Sequence, residues 1–480
     1  MSNKFSKNMN RRDFLKVGGM STAAIALSTT GMLSLGESNA LAAPKKSKLS
    51  LSGYGPLVKD PGGILDLPRG FQYRIISEEG GKLSDGRPIP EKFDGMAAFE
   101  GPRNSTILVR NHELSGNTKY PVIGKNPYNK DNTGGTTTLI VDANRKIHKE
   151  YVSSAGTIRN CAGGSTPWGT WLTCEETLEE GHGYVFEVDP HDPENKLSKT
   201  PIREMGAFSH EATAIDPATG VVYLTEDAGP SYLYRFIPTD RSQRIGALQK
   251  GGTLQAAAIE EMSSINTSQF YTGQKYGIVW KDVDPEKPTL EAGQKGCIQF
   301  SRLEGAYFEG GVFWFDDTSA GDKNLGRVYR YIPSTNTLEL FYESTATNDL
   351  EMPDNICITP WGDLWISEDG SGVDRIIGMT PEGETYIFAE NKLNDSELAG
   401  PTFSTKGDTF FVNIQTPGIT FAIWGPFARR NAGRRRQMGH AAPPKQYAPQ
   451  LSDKLIAFAE IQGISDLEAA ALQRHGMPIV

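Results

Sequence analysis

Cysteine is scarce in this chain. Cys161, Cys174, Cys297 and Cys357 are the only four in 480 residues. That is too few for a disulfide scaffold, and no pair has the CxxC spacing of a zinc clamp. All but Cys161 read as buried thiols. Long apolar runs are missing too: no internal stretch reaches the roughly 18 residues that a membrane span needs. Positive charge is in deficit, with 49 Lys and Arg against 58 Asp and Glu, a formal net charge of -9. Nucleic acid is therefore not expected as a partner, because nothing supplies a basic footprint. No Gly-x-Ser-x-Gly elbow occurs, so serine catalysis has little support. Turn residues, by contrast, are plentiful. With Gly 52, Pro 29, 38% hydrophobic and 22% charged residues, the composition is that of a folded soluble chain rich in tight turns.

The first 42 residues differ from the rest. Arg11-Arg12-Asp13-Phe14-Leu15-Lys16 is a twin-arginine pattern, followed by a weakly apolar, small-residue stretch at about 17–35. Ala40-Leu41-Ala42 offers a cleavage site before Ala43. The alternative is an amphipathic N-terminal helix. A twin-arginine leader implies the translocation machinery as a partner and a periplasmic or extracellular destination. Such export carries proteins already folded, often with a metal or cofactor loaded. Loss of residues 1–42 leaves 44 basic and 56 acidic residues, a net of -12.

Beyond the leader, short runs of Val, Ile, Phe, Tyr, Trp and Thr alternate with Gly, Pro, Asn and Asp turns, so the chain reads as β throughout. Six segments share one frame: a turn, a short apolar strand, then an oxygen-bearing residue. They are Ser105-Thr-Ile-Leu-Val-Arg-Asn111, Gly169-Thr-Trp-Leu-Thr-Cys-Glu175 and Gly220-Val-Val-Tyr-Leu-Thr-Glu226. The others are Gly311-Val-Phe-Trp-Phe-Asp-Asp317, Gly362-Asp-Leu-Trp-Ile-Ser-Glu368 and Gly407-Asp-Thr-Phe-Phe-Val-Asn413. Most follow a partner strand, so each predicts a hairpin, and a third strand often closes a small sheet. The fold class expected is all-β, a six-bladed β-propeller over residues 43–427; a pair of β-sandwiches is the alternative. The strand at Phe71-Gln-Tyr-Arg-Ile-Ile76 is expected to pair into the last blade. Residues 428–480 form a tail, basic at 428–436 and with a short helix opened by the capping box Ser465-Asp-Leu-Glu468. The tail is expected to pack on the propeller, and the protein to be a monomer.

If the hairpins point one way, their ends ring the axis. The strand ends are Asn111, Glu175, Glu226, Asp317, Glu368 and Asn413; the strand starts are Asp94, Cys161, Glu211, Glu304 and Asn355. Glu113, Glu176, Asp227 and Asp369 sit close by. Carboxylates so dense repel one another unless protons or hard cations relieve them, and calcium takes six to eight such oxygens. A solvated acidic funnel without metal is the alternative. Cys161 does not suit calcium: it is either a ligand for a softer metal or a small buried hydrophobe. Arg302, two residues before Glu304, either binds a phosphate or carboxylate with its planar fork or pairs with a ring carboxylate. His112 and His210 each precede a ring position, where support and ligation are both open.

Asn160-Cys-Ala-Gly-Gly-Ser-Thr-Pro-Trp-Gly-Thr-Trp-Leu-Thr-Cys-Glu-Glu176 resembles the signature of the PhoX-type alkaline phosphatases. So do Ser209-His-Glu-Ala212, Arg302-Leu-Glu-Gly305 and Pro353-Asp-Asn355, with the twin-arginine leader. The resemblance implies an exported phosphatase that hydrolyses small phosphomonoesters on a six-bladed propeller with an iron and calcium cluster. By that similarity Cys161 matches the thiolate on iron, Glu304 an iron-bound carboxylate, and Arg302 the arginine that holds phosphate. One of Glu211 and Glu226 matches a further iron ligand. The candidate metal residues are then Asp94, Asn111, Cys161, Glu175, Glu176, Glu211, Glu226, Glu304, Asp354, Asn355 and Glu368, with Arg302 catalytic. Two rivals stand. Pro353-Asp-Asn-Ile-Cys-Ile-Thr-Pro-Trp-Gly-Asp-Leu-Trp365 also resembles calcium-dependent propeller lactonases, which need no thiolate. A non-enzymatic propeller is the other, because fold does not fix function.

Overall fold

Each of the six repeats folds as the inner hairpin of an antiparallel sheet in the computed structural model, which describes residues 53–427 apart from 193–196, 261 and 263. The leader at 1–42 and the tail at 428–480, with its expected helix, lie outside the described residues. The first blade comprises Phe93–Glu100, Thr106–His112, Gly134–Val141 and Ile147–Thr157. The second comprises Asn160–Ser165, Trp171–Glu175 and Val185–Val188. His210–Ile215, Val222–Glu226, Tyr234–Pro238 and Gly252–Ala258 make the third, with Val279–Asp282 at its edge. The fourth is Leu303–Glu309, Val312–Asp317, Arg327–Ile332 and Thr337–Glu343, edged by Lys275–Gly277. Pro353–Ile358, Leu364–Glu368, Arg375–Met379 and Thr385–Asn391 form the fifth, extended by Leu65–Pro68 and Leu57–Val58.

The sixth blade closes the ring. Leu398–Phe403, Phe410–Ile414 and Ile419–Trp424 come from the end of the domain, and Gln72–Glu78 from its beginning. The pairing runs from Trp424 opposite Gln72 to Ile419 opposite Glu78. The closing strand expected from the sequence is thus in place, and the two ends of the domain are tied by a backbone ladder.

Both faces of each blade are covered by neighbours, so the strands are apolar on both sides rather than alternating. Tyr223 and Leu233 of the third blade pack with Phe313, Phe315 and Tyr329 of the fourth. Trp365 and Phe388 of the fifth meet Phe410 and Phe421 of the sixth, with the Trp365 and Phe410 rings 4.8 Å apart edge to face. Each ring so buried contributes roughly 1.5–3 kcal/mol. Close to the axis the blades nearly touch. A Cβ added at Gly305 would lie 2.1 Å from the carbonyl of Asp354 in the next blade, so only glycine fits there.

One irregularity recurs in every inner hairpin. The register slips between Phe93 and Met96, Asn160 and Gly163, His210 and Thr213, Leu303 and Ala306, Pro353 and Ile356, and Ala399 and Thr402. In each, two residues oppose one across the ladder, which is a β-bulge. The first bulged residues are Asp94, Cys161, Glu211, Glu304, Asp354 and Gly400. A bulge re-aims its side chain, and five of these six carry a metal-ligating group.

Candidate metal centre

Beyond the bulges, a backbone bond closes each hairpin. The N–H groups of Glu113, Glu176, Asp227, Asp369 and Gln415 donate to the carbonyls of Lys92, Arg159, Ser209, Met352 and Glu397, and Thr318 N–H donates to Arg302. The hairpin mouths therefore offer a second tier of polar side chains above the bulged residues.

The two tiers converge. Ligating atoms of Asp94, Glu113 and Glu397 lie within 4.8 Å of one another, as do those of Glu113, Cys161 and Glu176. The same limit holds for Glu176, Glu211 and Asp227, and for Glu211, Glu304 and Asp354. Glu113, Glu176 and Glu211 each belong to two of these groups, so they form one chain of carboxylates around the axis with Cys161 in it.

The chemistry of this centre asks for cations. Glu211 is 0% exposed, and neither of its carboxylate oxygens has a hydrogen-bond partner. Burial, then repulsion from Glu304, Glu176, Asp227 and Asp94, pushes its carboxyl well above the ordinary range. Asp354 is raised likewise, by burial and by Glu304, Glu211 and Glu397. The Cys161 thiol, 3.7 Å from Asp94 Oδ2, is raised by burial and by Asp94, Glu211, Glu176 and Glu113. A buried ionised group is tolerated only when paired or bound to metal. The donor set, many oxygens and one sulfur, fits several hard cations with one softer neighbour.

Two arginines enter the mouth. Arg302 Nε and Nη2 contact both oxygens of Asp227 at 2.8 and 2.9 Å, and Nη2 also contacts Glu304. Its side chain keeps 19% exposure. Arg159 lies 2.7 Å from Glu113 and also contacts Glu176.

The structure corrects the expected ring in several places. Asn111 is not in register with Glu175: it faces the bulge, whereas His112 holds the equivalent position opposite Phe93. Its Nδ2 donates to the carbonyls of Cys161 and Ala162 at 3.1 and 2.7 Å, and its Oδ1 accepts from Trp171 Nε1 and Thr173 Oγ1. Glu175 accepts from the backbone N–H groups of Ile158, Gly183 and Tyr184, with His182 Nδ1 at 2.7 Å. Glu226 accepts from Tyr232 N–H and from the hydroxyls of Tyr234 and Thr289. Burial still raises its carboxyl to about 7. Glu368 holds the fork of Arg375. Asn355 donates from Nδ2 to Asp354 Oδ1 and accepts from Gly400 N–H. Glu175, Glu226 and Glu368 lie outside the convergent groups, each paired with the residue just before a bulge, whereas Asn111 faces a bulge and Asn355 is the second residue of one. His112, between Glu91 O and Thr137 Oγ1, and His210, whose Nε2 faces Gly206 O, also stand outside the convergent groups. All four cysteines are free and buried, which for Cys174, Cys297 and Cys357 is as expected.

Glu397, Arg159 and Gln415 went unread in the sequence. Gln415 reaches Asp94 at 3.1 Å and Glu113 at 2.8 Å, and it also contacts Glu397. Their common signal is position: each borders an inner hairpin at its closing bond.

Asn111 gives a test of the bracing role. Asn111→Ala strands the donors of Trp171 and Thr173 and releases the Cys161 bulge. It is expected to cost about 2–4 kcal/mol of stability by urea denaturation and to lower activity. Wild-type stability in this variant would show that Asn111 braces nothing.

Fold and centre together define a propeller whose axial cluster of carboxylates and one thiol is the donor set of a metal-dependent enzyme. The model of the family described as alkaline phosphatase PhoX matches residues 52–418, and the chain belongs to that family. A twin-arginine signal sequence matches residues 8–28, so the protein is exported across the cytoplasmic membrane. It is thus an exported alkaline phosphatase acting on phosphate monoesters. Among solved structures it is similar to Pseudomonas fluorescens PhoX in complex with vanadate, a transition state analogue. The TM-score is 0.59 at 19% identity, over 76% of this chain and 96% of that one. That likeness shows the six-bladed fold. A gluconolactonase from Xanthomonas campestris matches at TM-score 0.41 and 11% identity, over 78% of this chain and 99% of that one. At that value it has no bearing on function. No curated protein shows significant sequence similarity.

Proposed function

We propose that the axial centre holds iron at Cys161 and calcium among the surrounding carboxylates, and that Arg302 binds the phosphoryl group of the substrate. One observation carries this reading: Glu211, fully buried and without a hydrogen-bond partner, lies between the Glu176 and Asp227 pair and the Glu304 and Asp354 pair. Such a carboxylate is stable as an anion only against cations.

A phosphate monoester is a dianion, and this chain is acidic, so its own side chains repel the substrate. Bound cations would neutralise the phosphoryl oxygens and activate the oxygen nucleophile. The chain's residues do the rest. Asp227 holds the Arg302 fork flat and fixes its orientation toward the mouth. Arg159 spans Glu113 and Glu176 and sets the distance between them. Gln415 ties the first-blade and sixth-blade sides together.

Calcium removal tests the proposal. A calcium-selective chelator is expected to lower phosphatase activity, and added calcium to restore it, while elemental analysis finds iron retained. Full activity in protein shown to have lost its calcium would refute the calcium part. Full activity in protein without iron would refute the assignment at Cys161.

A further inference from the structure

We infer that Lys92 is a positioning residue of the axial centre: from a strained backbone, its ammonium holds the Gln415 amide so that the nitrogen faces Asp94, Glu113 and Glu397. The inference rests on the reading of that centre as the site of metal and phosphoryl chemistry.

Lys92 stands just before the first strand of the first blade, and its carbonyl accepts the closing bond from Glu113 N–H at 3.0 Å. Its φ is 58°, in the left-handed region that lysine rarely enters and glycine enters freely. Arg159 and Met352 hold the equivalent places in the second and fifth blades, with φ of 47° and 49°. Closure of these three hairpins thus takes a left-handed residue, and none of the three is glycine. Such strain persists at functional sites, where the side chain has a role that glycine could not fill. For Arg159 the role is visible, because its guanidinium bridges Glu113 and Glu176.

For Lys92 the role is the amide beside it. Lys92 Nζ donates to Gln415 Oε1 at 3.1 Å, and Thr416 Oγ1 donates to the same oxygen at 3.4 Å. At the other end, Gln415 Nε2 donates to Asp94 Oδ2 at 3.1 Å and Glu113 Oε2 at 2.8 Å, and it contacts Glu397. Donors face the oxygen and acceptors face the nitrogen. Turned over, the amide would set its oxygen against three carboxylates and its NH2 against an ammonium, so both ends would repel. Without the ammonium one of those penalties is gone and the amide is free to turn. Lys92 therefore keeps Gln415 a donor to the three acids, whose ligating atoms converge within 4.8 Å of one another. Partners of this kind, which orient ligating groups without ligating, change metal affinity or activity by roughly 10–100-fold when lost.

The experiment compares Lys92→Gly, Lys92→Met and Lys92→Arg with wild type, each as the full exported protein. Lys92→Gly is expected to show a Tm, without added metal, at or above that of wild type, because glycine relieves the left-handed φ. Its kcat for a phosphomonoester is expected to fall roughly 10-fold or more. KM stays near wild type, because Lys92 orients the centre and does not touch substrate. Lys92→Met keeps the stem, loses the ammonium and should lose kcat alike, whereas Lys92→Arg should retain most of it. In Gln415→Ala protein, Lys92→Met should lower kcat no further, since the effect passes through the amide. Native kcat in Lys92→Met, or its full additional loss in the Gln415→Ala background, would overturn the inference. A Tm of Lys92→Gly below wild type would overturn the strain at residue 92 as its sign. Iron and calcium are counted in every sample. Wild-type protein that works without either would refute the reading of the centre, a result distinct from all of these.

Discussion

Cys161→Ser is expected to remove phosphatase activity while the propeller stays folded. The thiol sits at a bulge where four other blades carry Asp or Glu, among Asp94, Glu113 and Glu176. As a thiol it is poorly placed to ionise, because burial and these acids raise its pKa well above the ordinary value. A bound cation reverses that balance, since a coordinated thiol loses its proton outright. Serine keeps the volume and a weak donor but cannot supply a thiolate. Removing a group that merely supports a metal ligand costs roughly 10–100-fold in affinity or activity, so loss of a ligand should exceed that. Turnover of a phosphomonoester and iron content, measured beside near-UV circular dichroism, check the outcome. A variant with native iron and native rate would reduce Cys161 to a core residue. Cys174 is the control. It is 0% exposed, and it packs with Leu172, Val185 and Phe208 in an apolar cluster. Cys174→Ala should keep activity at a modest cost in stability.

The contrast between these two cysteines shows what could be read from the sequence and what could not. Strand periodicity and Gly or Pro turns place the hairpins, because those depend on local chemistry. The six repeats, the closing strand and the face that gathers the acids all follow from that pattern. The ligand register does not. A strand exposes alternate side chains to opposite faces, so one inserted residue swaps inward and outward positions. Every inner hairpin here has such an insertion at its axial end, and nothing in the apolar pattern marks it. Strand-end counting therefore picked out Glu175, Glu226 and Glu368. These point to the loop behind and accept hydrogen bonds there. At the fifth blade strand-start counting gave Asn355, the second bulged residue, which donates to Asp354; Asp354, also a candidate, is the one in the convergent group. Glu397 escaped for a related reason. The sixth blade has Gly400 at its bulge, so its acid comes from the strand's approach instead, where no repeat frame extends. Cys161, Glu211 and Glu304 were found by strand-start counting because the bulge begins on the first residues of those strands.

Arg302→Lys is expected to lose much of the phosphatase rate and to weaken inhibition by inorganic phosphate, with metal content unchanged. The structure sharpens why. Arg302 already spends Nε and Nη2 on Asp227 and contacts Glu304, so it is anchored to the centre, and its side chain keeps 19% exposure. A guanidinium can be held by a carboxylate and still present donors to a phosphate, because its five N–H groups point outward in one plane. Lysine has the charge but a single nitrogen, and it cannot grip Asp227 with two parallel bonds while reaching a substrate. Losing a preorganised donor to a developing charge costs about 2–4 kcal/mol, or roughly 30- to 1000-fold in rate. If Arg302 were only an ion-pair partner for Asp227, lysine would keep most of that pairing, and rate and phosphate inhibition would barely change. The second variant, Asp227→Asn, separates orientation from contact. It leaves the Arg302 fork intact but weakens its anchor, so it should slow turnover less than Arg302→Lys does. Asp227 also belongs to a convergent group with Glu176 and Glu211, so its metal content must be measured alongside. Equal rates and equal phosphate inhibition in wild type and Arg302→Lys would take Arg302 out of substrate binding and leave it a structural counter-ion of the mouth.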